Sequence, residues 1–109
     1  MSESQKMMTL RRGLLEPLVL TALDGRQRYP AEIVAALREA GFPAQEGTLY
    51  PLLTKLGKEG VVTHEWRESP SGPPRKYLSL TPLGQQQLAE FKAYWHSLTQ
   101  TIEQIGRHP

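Results

Sequence analysis

Glu46-Gly47-Thr48-Leu49-Tyr50-Pro51-Leu52-Leu53-Thr54-Lys55-Leu56-Gly57-Lys58-Glu59-Gly60 is the stretch on which the fold turns. Leu49, Leu52, Leu53 and Leu56 stand at i, i+3, i+4 and i+7, so they form one buried stripe of a helix over residues 45–58. The opposite side of the wheel carries Gly47, Pro51, Thr54, Lys55 and Lys58, with Thr48 and Tyr50 flanking it. That outward face offers hydrogen-bonding groups and two lysines, and no acid of its own before Glu59. Pro51 lies past the first turn and removes one backbone hydrogen bond, which predicts a slight kink. Gly60 ends the helix.

Working upstream, Gly41 and Phe42-Pro43 separate this helix from another that opens at Pro30, a residue suited to the first helical position. Ile33, Leu37 and Ala40 define its buried face. Before that, Leu14, Leu15, Leu18, Val19, Ala22 and Leu23 repeat at helical spacing up to a stop at Asp24-Gly25. Pro17 fits best in a first turn, so this helix is expected to begin near residues 12–15 behind a flexible tail at 1–9. Downstream, residues 61–68 and 75–80 read as two strands around the turn cluster Ser69-Pro70-Ser71-Gly72-Pro73-Pro74. This predicts a hairpin with a proline-stiffened tip and two cations, Arg75 and Lys76, just behind it. Thr81-Pro82 then starts a helix to about residue 105, ~35 Å long at ~1.5 Å per residue. Leu88, Phe91, Trp95, Leu98, Ile102 and Ile105 follow one another at alternating spacings of three and four along it. That alternation is a helix-pairing seam. It suits docking on the domain's own core, pairing with a second subunit, or both, and pairing is the favoured reading for so small a domain. Residues 106–109 are expected to be a short tail.

The whole chain has 109 residues, 39% hydrophobic and 22% charged, which suits a single globular domain. It has no cysteine, so disulfide scaffolds, thiolate metal sites and cysteine nucleophiles are excluded, and a reducing, cytoplasmic setting is expected. No apolar run approaches the ~20 residues of a membrane span, and no apolar signal core follows Met1-Ser2-Glu3-Ser4-Gln5-Lys6. The net charge of +2 arises in one place. Residues 1–54 carry six basic and six acidic groups, and residues 81–109 carry two of each. Residues 55–80 carry five basic groups against three acidic ones. A local cationic surface suits a phosphate backbone, although charge alone fits a mixed solvated face equally well.

Catalytic patterns are lacking. His64, His96 and His108 share no metal-ligand spacing, and no phosphate-loop, dinucleotide or nucleophile-elbow string occurs. No enzyme activity, cofactor or metal is expected. The order of three helices, a hairpin and a long helix is instead that of a winged helix-turn-helix, mainly α with a small β-hairpin, carrying a C-terminal dimerisation helix. The boundaries that follow are 10–80 for the DNA-binding domain and 81–105 for the dimerisation helix. A helix fits the major groove of double-stranded DNA, and a hairpin reaches the neighbouring phosphates. A homodimer would set two such helices ~34 Å apart.

Glu46-Gly47-Thr48-Leu49-Tyr50-Pro51-Leu52-Leu53, followed by Leu56, Glu59-Gly60 and Trp66, resembles the signature of the PadR family of transcriptional regulators. Arg12-Gly13-Leu14-Leu15-Glu16 upstream is similar to the family pattern too. So are Gly72-Pro73-Pro74-Arg75-Lys76-Tyr77 and Leu80-Thr81-Pro82-Leu83-Gly84 downstream. The chain departs from that pattern at Pro30, where a glycine is usual, and at Gln45, where a better N-cap is common. The length resembles the short subgroup, in which one long C-terminal helix joins the subunits. The resemblance implies a homodimer that binds a palindromic operator and represses transcription, with release by a small aromatic or cationic effector in some members.

Wheel and resemblance together nominate Thr48, Tyr50, Pro51, Lys55, Arg75 and Lys76 as DNA contacts. All but Thr48 have a plainer reading: Tyr50 as packing at the helix edge, Pro51 as a kink, Lys55 and the wing cations as ordinary surface charge. Lys58 is explained by the helix dipole alone. Trp95, on the seam, is either an interface tryptophan or, as the resemblance implies, a stacking surface for a planar effector. The alternative to operator binding is a winged helix that binds protein. Lys55, Arg75 and Lys76 weigh against that alternative.

Overall fold

The computed structural model describes residues 4–107. Its elements are α1 (Gln5–Ala22), α2 (Pro30–Glu39), α3 (Glu46–Lys58), β1 (Val62–Ser69), β2 (Gly72–Leu80) and α4 (Pro82–Gly106). This is the expected order, mainly helical with one hairpin.

Helix boundaries follow from caps. The Met7 N–H donates to the Ser4 hydroxyl at 3.2 Å, which starts α1 well ahead of Pro17. The expected start near residues 12–15 and the flexible tail over 1–9 are therefore corrected. Residues 5–9 are helical, and of that tail residues 1–3 lie outside the described residues. Pro17 is accommodated inside the helix, which runs on through it to Ala22. At α2, Pro30 takes the first turn, and Glu32 Oε1 accepts from the Tyr29 N–H at 3.2 Å. α3 has Gln45 at its N-cap, and the Gln45 side chain makes no capping bond. Thr81 caps α4, accepting from the Gly84 N–H at 3.1 Å. The short tail expected over 106–109 also shortens, because Gly106 is the last residue of α4. Residues 108–109 are outside the described set.

The core lies where α1, α2, α3 and the base of the hairpin meet. Val19, Leu23, Ile33, Leu49, Leu56 and Val61 are its most deeply buried side chains. Leu49, Leu53 and Leu56 of the α3 stripe are buried, and Leu52 packs against them from the margin. Leu88 of α4 also belongs to this core, and Phe91 packs against it. Leu88 is thereby corrected from a subunit-pairing residue to a residue that docks α4 on its own domain.

The strands pair antiparallel, from Val62 opposite Leu80 to Ser69 opposite Gly72, with a register shift between Arg67 and Ser69. Arg28 adds an isolated antiparallel bridge to β2, exchanging backbone hydrogen bonds with Leu78 at 3.1 and 2.9 Å. β2 starts at Gly72, so Pro73 and Pro74 are strand residues and not part of the turn. Prolines are tolerated there because the strand end beside a bulge has few ladder bonds to lose. Arg75 and Lys76 sit opposite Arg67 and Trp66, inside the ladder and not just behind the tip as expected.

Candidate nucleic-acid interface

The turn between α2 and α3 is pinned by one side chain. Arg38 Nε donates to the Ala44 carbonyl at 2.7 Å, which fixes the angle at which α3 leaves the core. With its leucine stripe buried, α3 turns Thr48, Tyr50, Pro51, Thr54, Lys55 and Lys58 to the outside.

These outward residues divide between two sides. Tyr50 and Thr54 face the hairpin across a groove of about 310 Å³, and Trp66, Pro74, Arg75 and Lys76 form its opposite wall. No acidic residue lines this groove. Three of the predicted contacts, Tyr50, Arg75 and Lys76, are thus brought together. Thr48 lies on the other flank, lining a separate cleft of about 730 Å³ with Arg11, Arg12, Arg38 and apolar groups of α1. Pro51 is exposed between the two.

Lys55 differs from expectation. Its Nζ is 3.4 Å from Glu16 Oε2 of α1 and 3.7 Å from Glu59 Oε2. The outward face of α3 carries no acid before Glu59 in its own sequence, yet α1 brings Glu16 to it. Lys55 is therefore part of an α1–α3 ion-pair cluster rather than a bare cation.

The wing cations are held differently. The Arg75 guanidinium stands 4.5 Å from the centre of the Tyr29 ring, a cation–π contact that keeps its charge while fixing its position. Tyr29 in turn meets Tyr77 edge to face at 5.4 Å. Arg67, opposite Arg75, is absorbed by Glu65 at 2.7 Å, by Gln27 and by the Tyr77 ring. Among the described residues, neither Arg75 nor Lys76 has an acidic partner within ion-pair distance.

On α4, Phe91 and Trp95 pack ring to ring at 5.9 Å, and Leu98 is half-buried. Tyr94, Trp95, Ile102 and Ile105 remain exposed. Reading the sequence missed a second apolar face: Met7, Met8 and Leu10 on the first turns of α1 are exposed as well. The assignment of residues 1–9 to a tail hid Met7 and Met8. Trp66 was also missed as a groove residue, although a tryptophan among polar strand residues was a visible signal.

A family model described as the transcriptional regulator PadR-like family matches residues 19–90. Among solved structures, a Streptococcus transcriptional regulator is 42% identical, with a TM-score of 0.80 over 96% of this chain and 100% of that one. A PadR family transcriptional regulator from Eggerthella lenta is 35% identical, with a TM-score of 0.82 over 95% of this chain and 91% of that one. Bacillus subtilis PadR in complex with operator DNA shares the fold at 22% identity, with a TM-score of 0.67 over 88% of this chain and 49% of that one. A comparison with curated proteins found no match. With the helix-turn-helix, the wing and the long terminal helix in place and the family model spanning most of the chain, this protein belongs to the PadR-like family of transcriptional regulators.

Proposed function

We propose that the protein is a sequence-specific DNA-binding repressor that acts as a homodimer in the cytoplasm. In this reading α3 enters the major groove of the operator, and the hairpin lies over the flanking backbone. The observation that carries it is the acid-free groove in which Tyr50 of α3 faces Arg75 and Lys76 of the wing. The operator complex of the Bacillus subtilis relative, which has the same fold, supports it by analogy. Thr48 and Pro51 are further candidates for base contact, and Lys55 becomes one when it leaves its acids. The exposed face of α4, from Trp95 through Ile102 and Ile105, is the proposed seam between subunits, with residues 10–80 left to read DNA. Leu98 borders that seam and Phe91 anchors it to the core. A small aromatic or cationic effector would stack on Trp95 at this seam and favour one arrangement of the two subunits over another.

The test is fluorescence anisotropy with a duplex from just upstream of the protein's own reading frame and a scrambled duplex of the same length. Selective binding that weakens with salt is expected. The Arg75→Ala/Lys76→Ala protein should bind more weakly, with a log–log salt slope smaller by up to ~1.8, or ~0.9 for each phosphate no longer held. Equal binding of both duplexes, unchanged in the double variant, would reject the reading for that site and favour a protein-binding winged helix.

A further inference from the structure

The wing carries one side chain that neither the core nor a charge argument explains. Trp66 is 63% exposed. Strand alternation puts it on the same face of the hairpin as Val62, and its cross-strand partner Lys76 stands on the same face as Leu78. Val62 and Leu78 are buried in the core. Trp66 is two pairs beyond the rung His64–Leu78, where that face leaves the core and borders the groove beside α3. The ring is not collapsed onto the core. Its aromatic neighbour is His64, edge-on at 6.3 Å.

A large apolar ring left open beside an acid-free groove is available to a partner. Its surroundings define the chemistry of that partner. Lys76 is directly opposite in the ladder and on the same face, Arg75 reaches the groove edge from the other face of β2, and Tyr50 lines the far side of the groove. The wall therefore alternates flat apolar surface with positive charge and contains no acid. A DNA strand presents the complementary alternation, with apolar deoxyribose faces between anionic phosphates. Phosphate binding alone would need the cations and not the indole. Base reading would need polar side chains aimed into the groove of the duplex.

We infer that Trp66 is a backbone-seating residue, packing its indole face on a deoxyribose of the strand that runs between α3 and the wing, while Lys76 holds a neighbouring phosphate. The inference rests on the DNA-binding reading and deepens it. Trp66 adds affinity without sequence information, because every nucleotide offers the same sugar. It also sets how deeply α3 can enter the major groove.

The inference gives Trp66 a signature separate from that of a cation or a base reader. Covering about 60 Å² of indole corresponds to roughly tenfold in Kd. The Trp66→Ala protein should therefore bind both the upstream duplex and its scrambled counterpart about tenfold more weakly. The ratio between the two duplexes should be kept, and so should the salt slope. Lys76→Ala should instead lower the slope. Trp66→Phe should recover part of the loss. A direct readout comes from 5-fluorotryptophan labelling, because the chain has two tryptophans. The fluorine resonance that disappears in Trp66→Phe should shift and broaden when duplex is added. Far-UV circular dichroism and thermal unfolding would establish that the variants fold.

If the unaltered protein binds DNA while the Trp66 resonance stays put and Trp66→Ala binds like the parent, the inference is overturned and the DNA-binding reading survives. A loss confined to the upstream duplex would also overturn it, by making Trp66 a base reader. Failure of the unaltered protein to bind any duplex would remove the reading and the inference together.

Discussion

At the scale of the residue, Lys55 shows how a charge count misleads. Its ammonium is shared between Glu16 and Glu59, so a phosphate must compete with two carboxylates for it. Exposed pairs of this kind are worth only ~0.2–1 kcal/mol, so the competition is winnable. Glu16→Gln should therefore tighten DNA binding by about two- to fivefold, given that pair energy. Lys55→Ala should cost little, because it removes a cation already occupied. A titration at fixed salt checks both, and a weaker Glu16→Gln protein would mean that Glu16 orders the interface instead of masking it. The face of α3 was legible because four leucines fix its orientation. The partner of Lys55 was not, because Glu16 is 39 positions away and is brought in only by the tertiary fold. Gln45 was legible too. It occupies the N-cap of α3 without bonding there, so Gln45→Ser should raise stability by about 0.5–1 kcal/mol, read from thermal unfolding.

At the scale of the element, caps and close approaches decide more than propensity. Ser4 starts α1, and the mid-helix Pro17 does not stop it; a rule placing proline in a first turn therefore shortened the helix. The prolines at 73 and 74 gave the same kind of error, since the bulge that makes room for them cannot be read from composition. Both mistakes concern where an element begins, and neither altered the order of elements, which hydrophobic periodicity settles. Gly84 shows what fixes the base of α4. A Cβ there would stand 2.2 Å from the Val61 carbonyl oxygen, so only glycine lets the helix seat. Gly84→Ala should lower stability by about 1–3 kcal/mol through displacement of α4. Gly57→Ala, in open space within α3, should instead raise it by about 0.5–1 kcal/mol. Thermal unfolding of the two proteins side by side distinguishes steric clash from helix propensity, because propensity alone would raise both.

At the scale of the whole molecule, the chain is extended. Its radius of gyration is 16.2 Å, against about 13 Å for a compact domain of this length. The first turns of α1 and the last turns of α4 contribute no core residue, yet both carry exposed apolar side chains, Ile102 and Ile105 being 62% and 77% exposed. Joining two copies through these faces would bury surface that one copy leaves wet. Ile102→Glu/Ile105→Glu should therefore sediment as a monomer and weaken operator binding at least tenfold, since each half-site would be held alone. The parent Tm should rise with protein concentration, and an unchanged Tm over a wide dilution would argue against a dimer. The pairing stripe could be read from the spacing of its residues. The division of that stripe between core and seam could not, because it depends on where α4 lies over α1. The start of α4 carries a mechanical consequence. Thr81 donates its hydroxyl to the Gly60 carbonyl at 2.6 Å and its N–H to the Val61 carbonyl at 3.1 Å, while its own side chain caps the helix that follows. The end of α3, the end of β2 and the root of α4 thus meet at one residue, with no slack between them. If two copies pair through α4 as proposed, that shared joint would tie the tilt of each α3 to the way the two long helices mesh.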